Sequence, residues 1–187
     1  MRLSEEEAGR RLGAARVLRL ATVGPDGTPH LVPATFAWYA GPAAGRIAIA
    51  VDHKPKRHQN LRRLRNIEAR PGVCAIVDEY SDDWTRLWWV RADGTARVLA
   101  AGPANGTAGT AGTAGTADVA GVEGTEGAAG AEGTGDGGAA SDVRERARAL
   151  DLLAAKYPQY AARRPEGPVI VIDVGRVTGW AYTDPLA

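Results

Sequence analysis

Seven basic or imidazole side chains fall between residues 54 and 65: Lys54, Lys56, Arg57, His58, Arg62, Arg63 and Arg65. They sit where a strand-like run ends and a helical period begins. A helix N-terminus offers unpaired amides and the positive end of a dipole, and flanking cations add charge-assisted hydrogen bonds. This combination suits a phosphate or a carboxylate. The same residues would also make a plain solvated helix face or a nucleic-acid footprint. Against nucleic acid as a partner, the domain is only mildly basic and carries no recognised nucleic-acid motif.

The second stretch with chemical content runs from Asp82 to Arg91, Asp-Asp-Trp-Thr-Arg-Leu-Trp-Trp-Val-Arg. Neighbouring residues of a strand point to opposite faces, so Trp88 and Trp89 cannot fill one core together. One ring is expected inside, and the other against a ligand, a second subunit or a covering helix. His30, His53 and His58 are at no metal-binding spacing, and no metal site is expected. Cys74 is the only cysteine, which excludes an intrachain disulfide and a cysteine-based zinc site. Its place in a strand suggests a small buried apolar residue. No nucleophile elbow, Walker loop or dinucleotide glycine fingerprint occurs, and no catalytic side chain is assigned. An enzyme of this kind would depend on a cofactor that the protein positions.

The elements that must hold these residues are punctuated by glycine and proline. Ser4 and Glu7 form a capping-box pattern ahead of a helix over 4–14. Val17 to Val23 reads as a strand, and Gly24-Pro25-Asp26-Gly27 as a turn into a return strand, His30 to Tyr39, with Pro33 at an edge or bulge. Arg46 to Val51 is a third strand. The helix carrying Leu61, Leu64 and Ile67 stops at Pro71-Gly72. Val73 to Val77 follows, then an acidic loop, then a long strand from Leu87 to Leu99, bulged or turned at Asp93-Gly94. Asp142 with Glu145 repeats the capping pattern, and Val143, Ala147, Leu150 and Ala154 mark one helical face. Two strands, Val169 to Val174 and Val177 to Tyr182, flank Gly175. Hairpin-length connections without helical crossovers argue for a mainly β, antiparallel barrel or sandwich with peripheral helices.

Glycine is concentrated in one place. Residues 101–140 hold 13 Gly, 12 Ala, 6 Thr and five acids, with no Lys or Arg, and Gly-Thr-Ala repeats four times from Gly106 to Ala117. The other 147 residues carry all 23 basic and 17 of the 22 acidic side chains, a net of +6. The chain thus reads as one basic domain, 1–187, with a low-complexity insertion at 101–140, either a neutral surface loop or a lid. There is no apolar run of about 18 residues to span a membrane. Met1 to Glu7 is acidic where a secretory signal is positive, so the expected setting is the cytoplasm.

Four stretches together resemble a known family: Ala21 to His30 (ATVGPDGTPH), Val51 to Lys56 (VDHKPK), Asn66 to Val73 (NIEARPGV) and Trp88 to Gly94 (WWVRADG). Their order is similar to that of the pyridoxamine 5'-phosphate oxidase-like split β-barrel proteins, in the actinobacterial branch that uses the deazaflavin coenzyme F420. The resemblance implies an antiparallel, FMN-binding-like split barrel. It implies a homodimer with two cofactor sites at the subunit interface, acting as an oxidoreductase that transfers a hydride to or from a small-molecule substrate. By the same resemblance Lys54, Lys56 and Arg57 would hold the cofactor phosphate. Counting back from Pro71 points instead to Arg62 and Arg63. Val51 and Asp52 would border the ring, with Trp88, Trp89 and Arg91 as further contacts from their position. FMN is the alternative cofactor. The fold also hosts non-enzymatic flavin, deazaflavin or haem binders.

Overall fold

The structure is a computed structural model, and it describes residues 1–51, 61–101 and 136–182. Seven strands form one antiparallel sheet: β1 Leu18–Val23, β2 Pro29–Ala34, β3 Ala37–Tyr39, β4 Gly45–Ala50, β5 Gly72–Glu79, β6 Trp88–Leu99 and β7 Val169–Ala181. Their lateral order is β2-β1-β5-β6-β7-β4-β3. Four helices lie around the sheet: α1 Glu5–Ala14, α2 Arg62–Ala69, α3 Asp136–Lys156 and α4 Pro158–Ala162.

This order closes the sheet. β2 pairs with β1 at one edge and β3 with β4 at the other, yet only Thr35 and Phe36 separate β2 from β3. Three Cα steps reach at most about 11 Å. Seven flat strands at about 4.8 Å spacing would put those edges about 29 Å apart. The sheet must therefore roll until its edges meet. The result is a split β-barrel in which one bent segment, β2–β3, belongs to both edges. The single return strand expected from His30 to Tyr39 is broken at that corner. Pro33 lies in β2, an edge strand of the sheet, where a missing amide costs little.

Alternation along the strands fills the barrel. Leu18, Leu20, Ile47, Ile49, Val73, Ala75, Val77, Val90, Ile170 and Ile172 point inward, with Leu12 of α1 and Leu64 and Ile67 of α2 closing the two ends. Burial of each large side chain contributes about 1.5–3 kcal/mol. A second cluster lies outside, where Ala149, Leu150, Leu153, Tyr157 and Tyr160 cover Tyr39, Ala48, Val169 and Val171. β4 is consequently apolar on both faces.

Several sequence expectations hold in detail. Ser4 caps α1 by accepting from the Glu7 amide at 3.2 Å. The return half of the capping box does not form, because the Glu7 carboxylate is taken by Arg10 and Arg11 at 2.7 and 2.6 Å. Gly27 turns the first hairpin with φ +82°. The bulge falls between Asp93 and Gly94, and Gly175 is the residue skipped on the facing strand, so the two expected final strands are one. α3 departs further from expectation. It starts at Asp136, which leaves Asp142 inside the helix, and places residues 136–140 of the glycine-rich range in its first turns. Its buried face is Ala149, Leu150 and Leu153, while Val143 is 68% exposed. The rest of that range, 102–135, lies outside the described residues.

Candidate functional site

At one end of the barrel α2 packs against β1 and β6. Leu64 and Ile67 bury one face, and Arg62 and Arg65 are exposed on the other, with Arg63 half-buried. Asn66, 2% exposed, anchors the helix by donating from Nδ2 to the Thr22 hydroxyl at 2.9 Å. Leu61 occupies the N-cap without a side-chain hydrogen bond, and no acid stands in the first turn. The helix thus begins with amides unserved by any capping side chain and with two arginines beside them. His30 points inward from β2 nearby. Its Nδ1 is shielded from solvent and has no hydrogen-bond partner among the described residues. Burial, then the charges of Arg62 and Arg63, hold its pKa below the ordinary imidazole value.

Val51 leads from β4 toward this end. Its amide donates to the Pro168 carbonyl at 3.0 Å, and a Cβ at Gly167 would lie 2.7 Å from the Val51 carbonyl. Only glycine allows the two segments to pass so closely. Asp52, Lys54, Lys56 and Arg57 of the sequence expectation lie outside the described residues, as does His58.

The tryptophans occupy the other end. Trp88 and Trp89 face opposite ways, as strand geometry requires. Trp88 packs against the main core, donates from its indole nitrogen to Glu79 at 3.1 Å, and lies under the Arg11 guanidinium, 5.1 Å from the ring centroid. It floors a groove of 450 Å³ that Arg10, Arg86 and Tyr182 also line. Trp89 faces outward beside its cross-strand partner Trp180. A shallow hollow of 320 Å³ there is lined by Ile76, Asp78, Tyr80, Trp89 and Arg91. Arg91 donates to Asp93 at 2.9 Å, and Arg19 pairs with Asp78.

Among the described residues no helix lies over the outer face of β2, β1, β5 and the first half of β6. Leu31 is 62% exposed there and Tyr80 71%. Cys74 also lies on this face, half-buried rather than interior; burial and the neighbouring Asp93 raise its pKa. The expectation of an interior cysteine is therefore corrected: Cys74 alternates with the inward Val73 and Ala75.

The structure does not gather the candidate residues at one point of the chain. Ala96, beside α2, is seven residues from Trp89 along β6, about 24 Å at 3.4 Å per residue. Val51, Arg62 and Arg63 share one end, and Trp89 shares the other with Trp180 and Tyr80, while Trp88 serves a separate groove. Sequence reasoning missed His30, Tyr80 and Trp180. An aromatic at alternate positions of the last strand was the only local signal for Trp180.

Comparison with known proteins agrees with this architecture. No curated protein matches the sequence. Among solved structures, an FAD-binding protein from Mesorhizobium loti superimposes with a TM-score of 0.56 at 19% identity, covering 96% of this chain and 95% of the other. A conserved hypothetical protein from Mycobacterium tuberculosis gives 0.57 at 16% identity, covering 96% and 85%. The FAD-binding protein from Mycobacterium smegmatis gives 0.50 at 16% identity, covering 97% and 98%. At such identities the likeness establishes the shared fold. The family described as pyridoxamine 5'-phosphate oxidase matches residues 4–123, from the cap of α1 through β6 and beyond, and the chain belongs to that family.

Proposed function

We propose that the protein is a cytoplasmic oxidoreductase, working as a homodimer, that uses the deazaflavin coenzyme F420 to transfer a hydride to or from a small organic substrate. The observation that carries this reading is the division of the candidate contacts between two ends of a sheet face that no described helix covers. A two-fold axis through the middle of that face turns one protomer end for end upon the other. The Trp89 end of one protomer then meets the α2 end of the other, and each of two equivalent sites draws on both chains. The apolar side chains left exposed on the face, Leu31 and Tyr80 among them, suit burial against a second copy.

The residues present fit a phosphate-bearing cofactor. An uncapped helix start, Arg62 and Arg63 beside it, and an unbonded, sheltered His30 nitrogen make a place where an anion is favoured. When bound, the deazaflavin supplies two-electron hydride chemistry. The chain's own part is to bind, orient and exclude water. Arg62 and Arg63 neutralise phosphate charge, with Lys54, Lys56 and Arg57 as further contacts. Val51 and Asp52 would border the ring from one protomer, and Trp89 and Arg91 would do so from the other. Trp88 is left out of this site because it faces away from the shared surface. Holding the reacting atoms together in a dry cleft is where the rate advantage arises.

Support for a flavin-type cofactor comes from the family and from two similar structures described as FAD-binding proteins. The choice of deazaflavin over FMN rests on the resemblance of the four sequence stretches. Titrating the purified protein separately with coenzyme F420 and FMN, following cofactor fluorescence and Trp quenching, tests it. Tighter binding of F420 is expected. Binding of FMN alone would make the protein an FMN-dependent relative, and binding of neither would end the cofactor reading.

A further inference from the structure

The chain has 20 arginines but three lysines, Lys54, Lys56 and Lys156, and Lys156 stands in an unusual setting away from the proposed cofactor site. α1 and α3 end side by side. The last carbonyls of a helix lack intrahelical partners, and here the end of α1 is served by a cation of α3 and the end of α3 by one just beyond α1. Lys156 Nζ donates to the Gly13 carbonyl at 3.0 Å, and Arg16 Nη1 donates to the Lys156 carbonyl at 2.6 Å. The ammonium lies 4.1 Å from the Phe36 ring centroid and 5.7 Å from that of Tyr157, whose ring also carries the Arg16 guanidinium at 4.5 Å.

Two cations therefore share one aromatic surface, with no carboxylate bonded to either among the described residues. Lys156 is half-buried, whereas Arg16 is exposed and uses one of its five donors in the bond to Lys156. A free guanidinium edge beside a half-buried amine is suited to a reagent with an anionic leaving group. Burial, then the charge of Arg16, lowers the Lys156 pKa to about 8, so roughly a tenth of the amine is unprotonated at neutral pH, far more than for an ordinary lysine.

We propose that Lys156 is an acylation site for acyl phosphates, with Arg16 receiving the phosphate. Unprotonated Nζ attacks the acyl carbon, and the N–C bond of an amide forms. The C–O bond to phosphate breaks, phosphate leaves with its electron pair, and the nitrogen gives up one proton to water. No oxidant or reductant takes part. The product has lost its charge and carries an added acyl group where the ammonium served the end of α1, so acylation loosens the α1–α3 junction.

The test uses acetyl phosphate and, as an uncharged reagent, p-nitrophenyl acetate, with labelling at Lys156 read by peptide mass spectrometry. The quantity compared is the ratio of labelling rates by the two reagents, in the folded chain and in urea. A folded-state ratio about tenfold above the unfolded one is expected, the weight of one charge-assisted hydrogen bond to phosphate. Arg16→Gln should bring the folded ratio down to the unfolded value; losing the Arg16 charge also lets the Lys156 pKa rise, which slows both reagents alike and cancels in the ratio. A wild-type ratio that is the same folded and unfolded, or a Lys156 that stays unlabelled in the folded chain, would overturn the proposal. The wild-type comparison decides the matter even where Arg16→Gln fails to fold.

Discussion

His30 shows how one residue reports on a site that its own neighbours in sequence do not reveal. Its ring is drawn inside the barrel by the alternation of β2, and the fold then sets Arg62 and Arg63 beside it. Because burial and those charges depress its folded-state pKa, the unfolded chain binds more protons around pH 6.5. The group therefore contributes stability that is present above that pH and is lost as pH falls. An anion bound at α2 would offset the guanidinium charges. Saturation with inorganic phosphate or cofactor should move the NMR titration midpoint of His30 to higher pH. Arg62→Gln with Arg63→Gln should raise it without any ligand. A midpoint that does not move at saturation would put the anion elsewhere. The basic helix was legible in the sequence because its pattern is local, and so were the opposed faces of Trp88 and Trp89. The placing of His30 against Arg63, or of Trp180 against Trp89, depends on strand register between distant segments, which no local pattern encodes.

At the scale of elements, the corner between β2 and β3 decides whether the barrel closes, and Tyr157 holds it. Its hydroxyl, from a side chain 2% exposed, accepts from the Phe36 amide at 3.0 Å and lies within donating distance of the Arg16 and Phe36 carbonyls, at 2.8 and 2.9 Å. Tyr160 adds a 2.7 Å hydrogen bond to Thr35. The backbone at this corner has left both ladders, so its polar groups need side-chain partners. Tyr157→Phe keeps the ring and leaves the buried Phe36 amide unpaired. Urea unfolding should show a loss of about 1–3 kcal/mol, whereas Tyr160→Phe, at a partly buried site, should cost less. A loss below that of Tyr160→Phe would count against Tyr157 as the anchor. The strands, the first hairpin and the bulge at Asp93 were readable from glycine, proline and β-branched runs, since those residues restrict the backbone directly. The start of α3 was not. Asp142 and Glu145 look like a cap, but Glu145 accepts from Tyr39 at 2.6 Å and from Arg46 at 3.1 Å, binding the helix to the sheet. The same four-residue pattern serves a tertiary contact here.

At the scale of the whole molecule the question is why the described helices cover the barrel on one side only. α3 and α4 bury the outer surface of β3, β4 and the start of β7, while the face carrying Leu31, Ile76, Trp89 and Tyr80 has no helix over it among the described residues. A lone barrel would leave this apolar surface in water. In the proposed dimer a second copy would remove it from water and, by the two-fold turn, would join the α2 end to the Arg91 end. The sedimenting species should accordingly be a dimer, and Trp89→Glu, which places a charge within each end of the contact, should convert it to a monomer and abolish cofactor binding. Mixed dimers separate a shared site from one contained in a single protomer. Arg91→Gln and the pair Arg62→Gln with Arg63→Gln should each lose most binding alone. When the two variants are unfolded together and refolded in equal amounts, half of the dimers pair one of each. Such a dimer has one site with both defects and one with neither, so about a quarter of the wild-type binding capacity returns. Were the site contained in a single protomer, no mixture would restore any, because each chain would keep its own defect. Recovered capacity near one quarter thus requires that the α2 end and the Arg91 end meet across the interface.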